Sequence, residues 1–288
     1  MSLTPADAET LRRTLATVVA VPVTPLHAEG NPDWDTYAAL TGRLIDGGIT
    51  VITPNGNTGE FYALSRAEAR QAIEVAATAS RGRIELLAGV GHDIAAAVEA
   101  AGHARDHGVR MIMIHQPVHP YVSAEGWVEY HAAIAGAHIA ALADRAPNIV
   151  GVKYGVRDAT KFAAVARDAG IDRFTWLAGA AELTAPAYWA CGAHGFTSGL
   201  ANVHPGLALS MLDALRANDF GAAMKVWESV RRFEELRLAD ANADNVSVVK
   251  EALAQLNLCR ADVRPPSRPL PPGIKQEITH ILASWGLT

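Results

Sequence analysis

The chain has 288 residues, 50% of them hydrophobic and 19% charged, with a net charge of −5 and no block of like charge. That length suits one large α/β barrel or two smaller domains, and the mild acidity excludes nucleic acid and anionic membrane surfaces as partners. Cys191 and Cys259 form neither a disulfide framework nor a zinc spacing, the start of the chain is no signal peptide, and no apolar stretch approaches ~20 residues, so a cytoplasmic protein without a membrane span is expected.

Strand-like and helix-like segments alternate, the pattern of a parallel sheet joined by crossover helices. Residues 17–25 read as a strand and 33–46 as its helix; 50–54 and 65–80 repeat the pair, followed by 84–91 with 94–107. The fourth strand covers 110–115, with a helix from 123 onward. An apolar run over 149–153 is the next strand and 160–169 its helix; 174–178 leads into 183–191, and 195–198 into 205–217. After that the strands stop. Residues 220–238, 246–257 and 274–285 read as three closing helices, with a Pro-rich connector over 264–272. The chain thus divides into a barrel over 1–218 and a helical extension over 219–288. Seven strands are legible. Residues 127–146 are Ala-rich, with Ile134, Ile139 and Leu142 at near-helical spacing, and read as helix throughout.

Lys153 stands at the end of the run Ile149-Val150-Gly151-Val152-Lys153, which reads as a buried parallel strand. The other four lysines, Lys161, Lys225, Lys250 and Lys275, fall in segments that read as helices with solvated faces. A lysine at a strand end either snorkels to water or pairs with a carboxylate, or it is desolvated, loses its proton and becomes a nucleophile able to form a Schiff base. The second strand runs into Asn55-Gly56-Asn57-Thr58-Gly59-Glu60-Phe61, where two glycines free the backbone to present N–H groups to a carboxylate or phosphate and Thr58 adds a hydroxyl; an ordinary βα turn has the same composition. Gly89-Val90-Gly91-His92 lacks the third glycine and the acidic residue of a dinucleotide fingerprint. His92, His115 and His119 lie at neighbouring strand ends and could hold zinc, although Pro117 separates the last two on a loop. His103, His107, His131 and His138 read as exposed helix residues, and Arg231, Arg232, Glu234 and Glu235 as a solvated face. Trp176, Trp189 and Trp227 read as core or interface.

The Asn-Gly-Asn-Thr-Gly-Glu turn, the Gly-Val-Lys strand and Gly195-Phe-Thr-Ser-Gly-Leu-Ala-Asn202 at the last strand coincide with the alternating pattern and the three closing helices. On these motifs the chain resembles the dihydrodipicolinate synthase/N-acetylneuraminate lyase family, class I Schiff-base lyases on a (β/α)8 TIM barrel. The resemblance implies a homotetramer or homodimer, no cofactor and no metal. It implies that Lys153 forms an imine with pyruvate or a related 2-oxo acid. It further implies that Thr58 and the turn formed by Gly56, Asn57, Thr58 and Gly59 bind the acid's carboxylate, and that Ser198 and Asn202 close the site. His119 stands where the family has a tyrosine after strand four, with Tyr121 two residues on, and Asn57 stands in place of a small hydroxyl residue.

Strand five is missing, and with it the family's proton-relaying tyrosine and the arginine that dihydrodipicolinate synthases use for their second substrate. The departure points to an aldolase or dehydratase of a deoxy-2-oxo sugar acid, and Glu60-Phe61 resembles the sugar-acid dehydratase branch. Two other readings stand beside this one: a catalytically impaired barrel with a binding or scaffold role, and a metal-dependent aldolase using His92, His115 and His119. Closure of an eight-stranded barrel leaves two options near Gly136. Either an edge stays open there, or the working molecule contains roughly 15 more residues, one strand with its turns.

Overall fold

The computed structural model describes residues 4–119, 122–136 and 148–288. In chain order its elements are α1 (Pro5–Leu15), β1 (Val18–Ala20), α2 (Trp34–Asp46), β2 (Val51–Ile52), α3 (Arg66–Ser80), β3 (Glu85–Val90), α4 (Ile94–Asp106), β4 (Met111–Ile114) and α5 (Ala124–Gly136). They continue as β5 (Gly151–Tyr154), α6 (Ala159–Ala169), β6 (Thr175–Ala178), α7 (Ala181–Ala190), β7 (Gly195–Ser198), α8 (Pro205–Arg216), α9 (Phe220–Asn242), α10 (Asn245–Gln255) and α11 (Pro272–Ser284). The strands pair in parallel in the order β4-β3-β2-β1-β7-β6-β5. The first strand is much shorter than the expected 17–25, because Pro22 and Pro25 have no N–H to donate to a ladder. Among the described residues no strand joins β4 to β5, which stand at the two ends of the order. The helix expected over 127–146 is α5 as far as Gly136, and its remainder lies outside the described residues.

Val19, Val51, Leu87, Met111 and Leu177, from five different strands, point inward and pack on Leu11 and Leu15 of α1. This starting helix was not among the expected elements. Its signal is a capping box: the Thr4 hydroxyl accepts the Asp7 N–H at 3.2 Å, and the Asp7 carboxylate accepts the Thr4 N–H at 3.2 Å, with Pro5 at the first turn. Two leucines four residues apart thus close the floor of the barrel, leaving the carboxyl ends of the strands as its mouth. The alternate strand residues, among them Val18, Ala20, Ala178 and Phe196, point outward into a second layer. That layer runs without a break into Val248, Val249 and Leu253 of α10 and Ile278 and Leu282 of α11. The three closing helices are therefore as expected, except that α9 leaves helical geometry at Ala239, Asp240 and Ala241.

Two charged residues depart from their expected solvated faces. Lys250 on α10 is fully buried, and Glu234 on α9 nearly so. Each is compensated by a buried partner, Lys250 by Glu60 and Glu234 by Arg237. Arg231 and Arg232 do lie on an exposed face, paired with Glu235 and Glu277. Trp176 is core, and Trp189 and Trp227 pack partly buried against it.

Candidate active site

Partners in a parallel ladder share a face of the sheet, so the register states which strand-end residues look into the barrel mouth. Lys153 pairs with inward-facing Leu177 and therefore points inside, at the carboxyl end of β5. Lys153 is half-buried, so its amine is partly desolvated, and the Arg237 guanidinium adds a repelling positive charge. Together they bring the amine from 10.5 down to about 8, with desolvation the larger cause.

The turn after β2 is a single turn of 3-10 helix, Asn57–Gly59. Gly56 and Gly59 are required by space: a Cβ on the first would collide with Val21, and on the second it would lie 2.8 Å from the Pro22 carbonyl oxygen. Thr58 is buried while Asn57 is exposed. The Thr58 hydroxyl lies 3.5 Å from Asn245 Oδ1, which also accepts from Arg237 Nη2 at 3.0 Å. Thr58 is thus linked through one amide to the guanidinium that acts on Lys153. Glu60 holds the left-handed conformation (φ 60°) that closes the turn. It is held there by Lys250 and by the Arg264 N–H, which donates to its Oε1 at 2.9 Å.

Ser198 does not face the mouth. It pairs with Ala20, an outward residue, and its hydroxyl donates to Glu182 Oε1 at 2.5 Å. Glu182 is fully buried on α7, and burial, reinforced by the Glu234 charge, pushes its carboxyl up to about 8. Asn202 spends its amide on the backbone, accepting from Val23 N–H at 3.1 Å and donating to the Val21 and Gly199 carbonyls at 2.8 and 2.9 Å. It rivets the turn after β7 to the segment after β1. His119 is exposed on the loop after β4, and Tyr121 lies outside the described residues.

Two inward residues were not singled out as substrate contacts. Thr197 pairs with Val19 and so faces the mouth one position before Ser198; strict alternation along Gly195-Phe-Thr-Ser198 carries that signal. His115 follows inward Met111 and Met113 by the same alternation. Its ring stacks on Phe61 with centroids 4.1 Å apart, and Nε2 lies 2.8 Å from the Asn55 carbonyl oxygen. A carbonyl can only accept, which assigns the proton to Nε2 and leaves the Nδ1 lone pair open. Burial, with smaller pushes from Lys153 and His92, lowers this imidazole to about 4 against the opposing Asn55 bond, so it is neutral at pH 7. His92, His115 and His119 do not converge as metal ligands. Among the described residues, the group whose ligand atoms come together is Glu74, His103 and His107 on α3 and α4 and in the cap of α4.

The sequence profile of the dihydrodipicolinate synthetase family matches the chain over residues 14–139 and 136–284. The chain belongs to the dihydrodipicolinate synthetase family. The two matched stretches meet where α5 ends and where β4 and β5 fail to pair. The 4-hydroxy-tetrahydrodipicolinate synthase of Phenylobacterium zucineum is 28% identical over 92% of this chain and 95% of its own length. A probable 5-dehydro-4-deoxyglucarate dehydratase of Methylobacterium radiotolerans is 30% identical over 98% of both chains. The crystal structure of dihydrodipicolinate synthase from Bacillus clausii superposes with a TM-score of 0.91 at 38% identity, covering 96% of this chain and 99% of that one. The family member described here is an enzyme, a Schiff-base lyase of the synthase and dehydratase kind. No described helix is long and apolar enough to cross a membrane.

Proposed function

We propose that Lys153 condenses with the carbonyl of pyruvate or a deoxy-2-oxo sugar acid, and that the sugar-acid reaction, aldol cleavage or dehydration, is the physiological one. The observation that carries this reading is an inward, strand-end lysine whose amine is held at about 8. The neutral amine adds to the carbonyl carbon, the carbinolamine loses water, and the resulting imine draws electrons from the adjacent carbon. Thr58 and the backbone of the turn 56–59 hold the carboxylate, with Asn57 and His119 at its solvent side. Thr197 lines the mouth. Ser198 and Asn202 act on the site through the turns they hold. On the β4 side, the neutral ring of His115 presents its open Nδ1 as a hydrogen-bond acceptor rather than as a base. The exposed apolar side chains of Val118, Val122 and Trp127 near this mouth support assembly as a homotetramer or homodimer, and the free thiols Cys191 and Cys259 support a cytoplasmic location.

Imine formation follows the neutral amine. Trapping by cyanoborohydride with pyruvate should therefore accelerate roughly tenfold per pH unit below the midpoint and level off above a midpoint of about 8. A rate that stays flat between pH 6 and 8 removes Lys153 as the nucleophile. Thr58→Val should weaken pyruvate binding by about 1.5–3 kcal/mol, one to two decades in affinity, through loss of one charge-assisted hydrogen bond. Unchanged affinity takes Thr58 out of the site. Turnover of 5-dehydro-4-deoxyglucarate without condensation of pyruvate with an aldehyde supports the dehydratase reading. The reverse outcome supports a synthase, which the 38% identity to the Bacillus clausii enzyme favours. A silent barrel gives no adduct at all.

A further inference from the structure

We propose that Glu74, His103 and His107 form a binding site for a divalent transition cation of the zinc class, which clamps α3 to α4 on the outer layer of the barrel. His103 and His107 are four residues apart at the end of α4, so their rings share one face, with centroids 4.3 Å apart. Glu74 reaches them from α3, and one ligand atom from each of the three lies within 4.8 Å of the others. His103 Nε2 and Glu74 Oε1 stand 3.1 Å apart. Their orientation makes no hydrogen bond, and the ring nitrogen is left buried without one. Two ligands of one tetrahedral ion with bonds of ~2.0–2.1 Å stand about 3.3 Å apart, so the separation is that of two ligands of one ion.

The second imidazole is prepared in the same sense. His107 Nδ1 lies 2.9 Å from the His103 carbonyl oxygen, which can only accept, so the proton sits on Nδ1 and Nε2 offers its lone pair. Metal-bound histidines are commonly oriented in this way, by a hydrogen bond from the other ring nitrogen. Glu74 and His107 are exposed and can swing inward to close the remaining distance, whereas His103, with its side chain 12% exposed, is the fixed ligand. Two imidazoles and one carboxylate suit zinc or copper rather than calcium or magnesium, and they leave a fourth position for water.

The inference is independent of the reaction at Lys153. Zinc chloride titrated into the metal-free full chain, followed by calorimetry, should show one saturable site, and Co2+ in its place should give the visible absorption of a four-coordinate ion. His107→Gln and Glu74→Gln alter exposed positions and leave the core intact, which far-ultraviolet circular dichroism checks. Each should weaken zinc binding by ~10–100-fold or more and abolish the rise in Tm that zinc produces in the unaltered chain. Zinc binding of undiminished affinity in both variants, or no saturable binding by the unaltered chain, overturns the proposal.

Discussion

Lys153→Ala is expected to abolish the borohydride-stable pyruvate adduct and to lower turnover by roughly 10⁴–10⁶-fold, the range seen when a covalent nucleophile is removed. The large effect follows from the site's layout. The Arg237 guanidinium acts on this amine and is linked through Asn245 to Thr58, and on the proposed reading the carboxylate contacts serve the imine that the amine forms. Mass spectrometry of the trapped chain should place the adduct on the Lys153 peptide. An adduct of equal yield in the alanine variant would transfer the chemistry elsewhere. Lys250 is a poor substitute, because its amine is already bound to Glu60 and to the Asp262 carbonyl. Lys153→Arg is the sharper control: it keeps the positive charge but cannot form an imine, so its loss of activity isolates nucleophilicity from charge.

Lys250→Met should be the most destabilising single change considered. The ammonium and the Glu60 carboxylate are both buried, and burial is the main force lowering the lysine's pKa, opposed by Glu60 itself. Removing one partner of such a pair typically costs about 3–5 kcal/mol, because a buried charge is left uncompensated. For a chain of this size that lowers Tm by roughly 10 °C. If the turn 56–59 binds the carboxylate as proposed, the pyruvate KM should rise as well, since the left-handed Glu60 that closes it loses one of its two anchors. Adding Glu60→Gln to Lys250→Met should recover part of the stability, because the uncompensated charge is gone while the amide oxygen still accepts the Arg264 N–H. A single variant with unaltered Tm would show that water or another cation satisfies Glu60.

Much of this molecule was legible in its sequence, and the limits have physical causes. The alternation of short apolar runs with amphipathic stretches announced the parallel sheet, and Lys153 was conspicuous because it ends a β-branched run. Lys250 was not, although Val248-Val249-Lys250 is as apolar a setting: its partner lies 190 residues away, and only the folded chain brings Glu60 to it. Glu234 was hidden for the opposite reason, since its neighbours Arg231, Arg232 and Glu235 advertise a wet face while a single turn of helix carries it into the core beside Arg237. Ser198 and Thr197 show how sharply a strand discriminates, because one step along β7 exchanges the barrel mouth for the helical layer. α1 was legible in principle from its capping box, but its polar composition masked the two leucines that plug the floor.

The tether from the turn 56–59 to the chain's later part also sets an order of events during synthesis. Glu60 accepts from the Arg264 backbone, 204 residues downstream, and Arg264 in turn grips Ala63 and Glu68. At ~5–20 residues per second, roughly 10–40 s separate the emergence of the turn from the emergence of the segment that holds it. Until Lys250 emerges the left-handed Glu60 lacks both of its anchors, and until Arg264 emerges it still lacks one, so the turn is not yet held in its final geometry. The final shape of this turn is therefore acquired late in synthesis, and a chain halted just before residue 264 would hold Glu60 by Lys250 alone.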